Sequence, residues 1–149
     1  MTTTLYETDF YAWTQRQADL LRAETFEEVD WRNLIEEIET LGRSEKNEVQ
    51  SRLIVLIMHL LKLQYQPTKR TRSWRVIVVT QRTDLERLLR DNPTLRARLP
   101  EFVQEIYSTA VKRAAVETGL RKTTFPTACP YTVEEIMDED FWPIADEST

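Results

Sequence analysis

The chain of 149 residues holds few of the residue types on which many catalytic and metal sites depend, with one cysteine, one histidine and two glycines. A single cysteine excludes an intramolecular disulfide and a zinc site built from cysteine pairs. A single histidine excludes the paired-histidine motif of zinc hydrolases. The isolated glycines, Gly42 and Gly119, cannot form the loop that cradles nucleotide phosphates. So few glycines also argue against a β-sandwich or barrel, which needs many tight turns.

The chain also lacks an apolar run long enough to cross a bilayer. Its most apolar stretch, Leu53–Leu63, has nine apolar residues in eleven, whereas a membrane-spanning helix takes about 20. The N-terminal residues have neither the basic nor the apolar segment of a secretory signal. Together with the lone Cys129, these absences predict a reduced, cytoplasmic protein without a membrane contact, and no motif indicates a cofactor.

Apolar spacing predicts an all-α fold, a bundle of about five helices. In Leu53–Leu63 the apolar side chains cover most of the helix circumference, which places this helix at the centre of the bundle. Apolar residues on both sides of Val76–Val79 repeat at helical spacing, so these four residues are predicted to be helical although alone they suggest a strand. We predict one helical domain over residues 1–149, with residues 1–5 as an N-terminal extension and residues 123–149 as an irregular tail packed on the outside.

Capping residues predict where the helices begin and end. Asp30 is predicted to cap a helix over residues 31–41. Its apolar residues share one face: Trp31, Leu34, Ile35, Ile38 and Leu41. Gly42 suits either the C-cap of this helix, followed by a short turn and an antiparallel central helix, or a kink in a longer rod. Ser44 is predicted to open the central helix and Ser73 to cap the helix after it.

The charges are unevenly placed, although the formal net charge is only −5. Residues 24–48 hold nine acids against three bases, and the last twenty residues hold seven acids and no base. No acid occurs between Glu48 and Asp84, where the bases are Arg52, Lys62, Lys69, Arg70, Arg72, Arg75 and Arg82. This basic interval, residues 52–82, is suited to binding a nucleic acid or a small anion. The alternative is that its cations pair with acidic segments of the same chain.

A candidate polar cleft lies on the central helix. His59 and Lys62 share a polar strip that cannot pack against apolar neighbours without stranding charge, so it is predicted to meet solvent or an acidic partner. An antiparallel return would bring Glu37 close to His59, and Trp74 would close one end. The candidate ligand-binding residues are Glu37, His59, Lys62, Arg72, Trp74 and Arg75. No metal ion is expected, and the alternative site for one is Glu36, Glu37 and His59. In the competing interpretation, His59 has only a structural role, in which it is buried and forms a hydrogen bond with Glu37 or a backbone carbonyl.

Several sequence blocks, taken in order, resemble one known family. They are YETDFYAWTQRQADLLR, EEIETLGRSEK, HLLKLQYQP followed by SWR, the pair Gln81-Arg82, and FPTACPYTVEEIMDEDFWP. Together they resemble the uncharacterised family called domain of unknown function family 29, from about Tyr6 to Pro143. The resemblance implies an all-helical bacterial protein and transfers neither an activity nor catalytic residues. The family's recurring blocks fall on Glu36, Glu37, His59, Leu60, Lys62, Trp74 and Pro126.

Three classes of function fit the sequence. The favoured one is an intracellular interaction or regulatory module without catalysis, which binds a protein partner or a second copy of itself. The alternative is binding of a nucleic acid or small anion through residues 52–82. The second alternative is a small enzyme or metal site that uses Glu36, Glu37 and His59. One histidine and scattered carboxylates offer few groups for catalysis, so this class ranks last.

Overall fold

The computed structural model describes residues 4–69 and 71–145, and these residues form an all-α fold without a strand. The α-helices are α1 (Leu5–Thr8), α2 (Phe10–Arg22), α3 (Trp31–Tyr65), α4 (Arg72–Asp91), α5 (Pro93–Ala97), α6 (Leu99–Thr118) and α7 (Val133–Met137). Single turns of 3-10 helix cover Phe26–Glu28, Pro67–Lys69 and Lys122–Thr124. The all-α prediction is confirmed, and Val76–Val79 lie within α4.

The chain divides into two compact units, Met1–Ser44 and Glu45–Thr149. Parts of the predicted extension, basic interval and tail lie outside the described residues, namely residues 1–3, Arg70 and residues 146–149. No helix in the described ranges is long and apolar enough to cross a membrane. The single folding domain over the whole chain stays a prediction.

Helix α3 runs from Trp31 to Tyr65 without interruption, so the predicted turn at Gly42 is wrong and the longer rod describes the chain. Gly42 is helical and exposed, and a side chain there would meet no atom within 4 Å. A glycine inside a helix costs about 1 kcal/mol, which the good helix formers around it outweigh. Ser44 also lies inside α3 and begins no helix. The antiparallel return that depended on this turn does not exist.

In the unit Met1–Ser44, polar contacts converge on Asp30, at the start of α3. Its carboxylate accepts a hydrogen bond from Trp13 Nε1 at 3.1 Å and one from Asn33 N at 3.4 Å, so the predicted N-cap is confirmed. Its backbone N–H donates to Gln17 Oε1 at 2.7 Å. Hydrogen bonds from Asn33 and Trp13 lower the pKa of the Asp30 carboxyl. These contacts join α2 to the first turn of α3.

The central helix is confirmed in the second unit, where α3 supplies much of the apolar core. Its core residues are Val49, Leu53, Leu56, Ile57, Met58, Leu60, Leu61 and Leu63. The other elements contribute Val78, Leu85 and Leu89 from α4, then Phe102, Ile106, Ala110 and Ala114 from α6. Phe125, Tyr131 and Ile136 of the C-terminal segment are buried in the same core. A helix that is apolar nearly all round is thus covered on several sides.

Local capping explains three further helix ends. Thr71, not Ser73, caps α4, because Thr71 has extended backbone angles and its Oγ1 accepts from Trp74 N at 3.3 Å. Ser73 lies one position inside the helix, so its predicted role is wrong. Gly119 ends α6 at a φ of 76°, a left-handed conformation that favours glycine. Thr132 and Glu135 form the predicted capping box that opens α7.

Candidate functional site

The apolar residues at the beginning of α3 are exposed, which their spacing alone did not predict. The exposed fraction is 47% for Trp31, 53% for Ile35, 60% for Ile38 and 67% for Leu41. Phe26 extends this surface, because its ring centroid lies 6.4 Å from that of Trp31 and its carbonyl accepts from Trp31 Nε1 at 3.0 Å. Residues three and four apart are neighbours on a helix surface. These five residues therefore form one surface, called the apolar face below.

Helices α1 and α2 contact α3 through polar residues instead. The Tyr6 hydroxyl donates a hydrogen bond to Glu37, and this bond raises the pKa of Tyr6 to about 12. Trp13 reaches Asp30, and the Tyr6 and Trp13 rings pack edge to face with centroids 4.8 Å apart. These contacts leave the apolar face uncovered within Met1–Ser44.

Acidic residues surround the apolar face. The unit Met1–Ser44 holds ten acids against four bases, a formal charge of −6. Glu27 and Glu28 lie in the 3-10 turn that contains Phe26, and Glu39 is exposed on α3 one turn after Ile35. Arg43 lies 3.8 Å from Glu39 in an exposed ion pair, which matches one acidic and one basic charge.

In the second unit, Lys62 is buried among partners that partly match the predicted cleft. Its Nζ donates to Glu117 Oε2 at 2.6 Å and lies 4.5 Å from the centroid of the Trp74 ring. An acidic partner does meet the polar strip, and it comes from α6. Sequence reasoning missed Glu117, because nothing local marks one glutamate among several on the outer side of α6.

His59 is buried beside this cluster, with 5% of its surface exposed. Its Nδ1 lies 2.8 Å from Val55 O, one turn earlier in α3, so Nδ1 carries the proton and donates this bond. Burial lowers the pKa of the imidazole, and the nearby Lys62 lowers it further, against smaller opposing effects of Val55 O and Glu117. The neutral ring is the form that these surroundings favour.

The pH dependence of stability just below neutrality should report mainly on His59, because the chain has no other histidine. Its folded pKa lies below the unfolded value of 6.5, so the stability it contributes is present above 6.5 and is lost as the pH falls below it. Between about pH 7.5 and 5.5, the free energy of unfolding should fall by up to about 1.4 kcal/mol per pH unit. His59→Gln should flatten this slope in urea titrations. Equal slopes in both proteins would contradict the burial of a neutral imidazole.

Two other predicted ligands, Arg72 and Arg75, flank Trp74 on α4. Arg75 faces the C-terminal segment, where its Cζ is 5.8 Å from the Trp142 ring centroid, and Arg72 is exposed at the first position of α4. Glu37 stands roughly six turns before His59 on one uninterrupted helix. The proximity expected for these two residues is therefore wrong. The ligand-binding role of the six candidate residues stays a prediction.

No group of three or more histidine, cysteine, aspartate or glutamate side chains in the described ranges is placed to hold a metal ion. Glu36, Glu37 and His59 accordingly form no such cluster.

Part of the basic interval is engaged within its own unit. Arg52 pairs with Asp84 of α4 at 3.0 Å and with Glu48 at 3.0 Å, and Lys62 pairs with Glu117. For these cations, pairing inside the chain describes the structure better than an open anion site.

Arg82, from the pair Gln81-Arg82 in the resemblance, is buried and holds the C-terminal segment. Its Nε donates to Ile136 O at 2.8 Å, its Nη1 to Phe141 O at 2.9 Å and its Nη2 to Glu135 O at 3.2 Å. The guanidinium carbon also lies 5.5 Å from the Trp142 ring centroid. The planar fork of arginine suits three divergent carbonyls, which a lysine could not serve together.

These features place the chain in the class of all-helical proteins. One long helix, α3, carries an exposed apolar face near its beginning. The chain belongs to the family described as Domain of unknown function DUF29, whose model matches residues 5–142. The resemblance seen in the sequence is thereby confirmed, and it brings no activity with it. No curated protein and no solved structure matches the chain.

Proposed function

We propose that the chain is a protein-interaction or regulatory module without catalysis, and that the apolar face is its docking surface. The observation that carries the proposal is the exposure of Trp31, Ile35, Ile38 and Leu41 on adjacent positions of one helix. Single exposed apolar residues are normal, but contiguous apolar patches on soluble proteins mark interaction sites. The spacing is the one used when a helix is recognised through i, i+3, i+4 and i+7 anchors.

The small core of the first unit supports the same proposal. The side chains described as buried in its helices are Trp13 and Gln17, and Val29 joins them in the loop before α3. Units of about 40 residues rarely bury enough apolar surface for independent stability. Covering one large apolar side chain contributes about 1.5–3 kcal/mol, so a partner on the apolar face would stabilise this unit as well as bind it.

The first test is a substitution that should not affect folding. Ile38→Asn is expected to change the free energy of unfolding by less than about 0.5 kcal/mol, because the side chain is exposed and the two residues have similar helix propensities. Urea denaturation measures this, with Val116→Asn in α6 as the control, since Val116 is 83% exposed. A loss of about 2 kcal/mol or more would show that Ile38 packs inside the chain, which contradicts a free docking surface.

The second test is binding in cells. A photoreactive residue in place of Ile38 should give a cross-linked product of fixed mass, and one in place of Val116 should not. Adding Ile35→Asn should abolish the product, because it removes a neighbouring anchor. Equal products from both positions would contradict docking on this face.

The alternative of anion or nucleic-acid binding has less support, because Arg52, Lys62 and Arg82 have partners inside the chain. An electrophoretic shift with mixed nucleic acids at low salt tests it directly. The cytoplasmic setting and the bacterial origin stay predictions.

A further inference from the structure

We infer that the partner of the apolar face is an amphipathic helix flanked by lysine or arginine residues. This inference rests on the proposed function and adds the chemistry of the partner. It follows from two properties of the same surface, which are its linear shape and its acidic surroundings.

The shape of the apolar face favours a helix. From Trp31 to Leu41 the face extends roughly 15 Å along a helix, which matches three turns of a second helix lying beside it. Trp31, Ile35, Ile38 and Leu41 fall within roughly 120° of arc on an ideal helix, so the face is one stripe along α3, as wide as the apolar side of an amphipathic helix. A stripe of this width receives the apolar side of one helix.

The charge around the apolar face determines which residues should flank the apolar side of the partner helix. Glu27 and Glu28 lie at the Phe26 end, and Glu39 lies beside the stripe, one turn after Ile35. Glu36 points away from the stripe on an ideal helix and adds only to the total charge. The unit has four bases against ten acids, and the pair of Arg43 with Glu39 matches one charge of each sign. With a formal charge of −6 in Met1–Ser44, the face attracts a basic helix and repels an acidic one.

The same charge disfavours a second copy of the chain as the occupant. An isologous contact would bring two units of charge −6 together, with no surplus of basic residues to compensate. An anionic lipid surface would be repelled for the same reason. A basic helix of another protein is the occupant that both shape and charge fit.

Two dye-labelled synthetic probes test the inference by fluorescence anisotropy on the full chain. Both are amphipathic helices of about 14 residues with one leucine stripe, and the other positions are lysine in one and glutamate in the other. The lysine probe should bind at least about ten-fold more tightly than the glutamate probe, and its affinity should fall between about 50 and 300 mM salt. Ile38→Asn should weaken it by about ten-fold or more, whereas Val116→Asn should leave it unchanged.

Charge variants distinguish an effect of the acidic residues beside the apolar face from a general attraction of the lysine probe to an acidic protein. The double variant Glu27→Lys, Glu39→Lys should lose most of the preference for the lysine probe. The matched variant Glu134→Lys, Glu139→Lys, with the same charge change in the second unit, should keep it. Equal effects of the two double variants would overturn the inference, because binding would then follow net charge alone.

The remaining outcomes distinguish this inference from the proposed function. Equal affinity for both probes that still depends on Ile38 would overturn the basic partner and leave the docking surface standing. Light scattering that shows a dimer of the 17.7 kDa chain, abolished by Ile38→Asn, would identify a second copy as the occupant and also overturn the basic partner. Lysine-probe binding unaffected by Ile38→Asn, or absent, would overturn the inference, while the cross-linking result decides the proposed function separately.

Discussion

Replacing Arg82 by alanine is expected to lower the free energy of unfolding by about 3–5 kcal/mol, because it leaves three carbonyl groups without their donor in a poorly hydrated site. Arg82 is 4% exposed, and its guanidinium donates to the carbonyls of Glu135, Ile136 and Phe141. Its contact with the Trp142 ring is lost as well. Urea denaturation at neutral pH measures the change.

Two controls sharpen this experiment. Arg82→Lys keeps the charge but offers a single ammonium group, so it should recover only part of the loss. Arg87→Ala removes an arginine of the same helix whose side chain is 64% exposed and should cost less than about 1 kcal/mol. If Arg82→Ala costs as little as Arg87→Ala, the hydrogen bonds to the C-terminal segment do not stabilise the fold.

Replacing Leu60 by alanine is expected to cost about 2–5 kcal/mol, because it empties space at the centre of the core that neighbouring side chains cannot refill. Leu60 has no exposed surface, and α3 is packed on several sides around it. Alanine is the better helix former, so the helix itself does not weaken. The lost free energy of unfolding therefore measures packing. Chemical denaturation determines it, provided that the cooperativity of unfolding is the same in both proteins.

Ile38→Ala is the matched control for this variant, since both residues lie on α3 and both substitutions remove most of an aliphatic side chain. Ile38 is 60% exposed, so its truncation should cost less than about 1 kcal/mol. Similar losses at positions 38 and 60 would contradict the assignment of one as exposed surface and the other as core.

Local signals predicted most of the fold. The apolar period that made Val76–Val79 helical, the Asp30 cap, the Gly119 C-cap and the capping box at Thr132 each depend on residues a few positions apart. Interactions of that range can be read from spacing, because the helix repeats every 3.6 residues.

The errors have equally local causes. Gly42 suits a helix end, but a glycine inside a helix costs only about 1 kcal/mol, and the good helix formers on both sides compensate for it. Ser73 and Thr71 are both good caps, and only the backbone angles of Thr71 decide between them.

The candidate site was predicted less well, because its contacts join distant positions. Lys62 and Glu117 are 55 positions apart, and no spacing rule links them. The pattern of Trp31, Ile35 and Ile38 reveals an apolar face, but the same pattern would suit a face covered by the chain's own helices. Exposure therefore had to come from the structure.

The hydrogen bonds between Arg82 and residues 135–141 also affect how the protein folds during synthesis. Domains acquire structure as they leave the ribosome, N-terminal parts first, but the acceptors of Arg82 and the core side chains of Tyr131 and Ile136 are made 49 or more positions after Arg82. Until they emerge, the guanidinium must stay hydrated and α4 cannot close over its side of the core. The second unit can thus complete its folding only after residues 131–141 have left the ribosome, and its apolar α3 is exposed to chaperones and to aggregation until then.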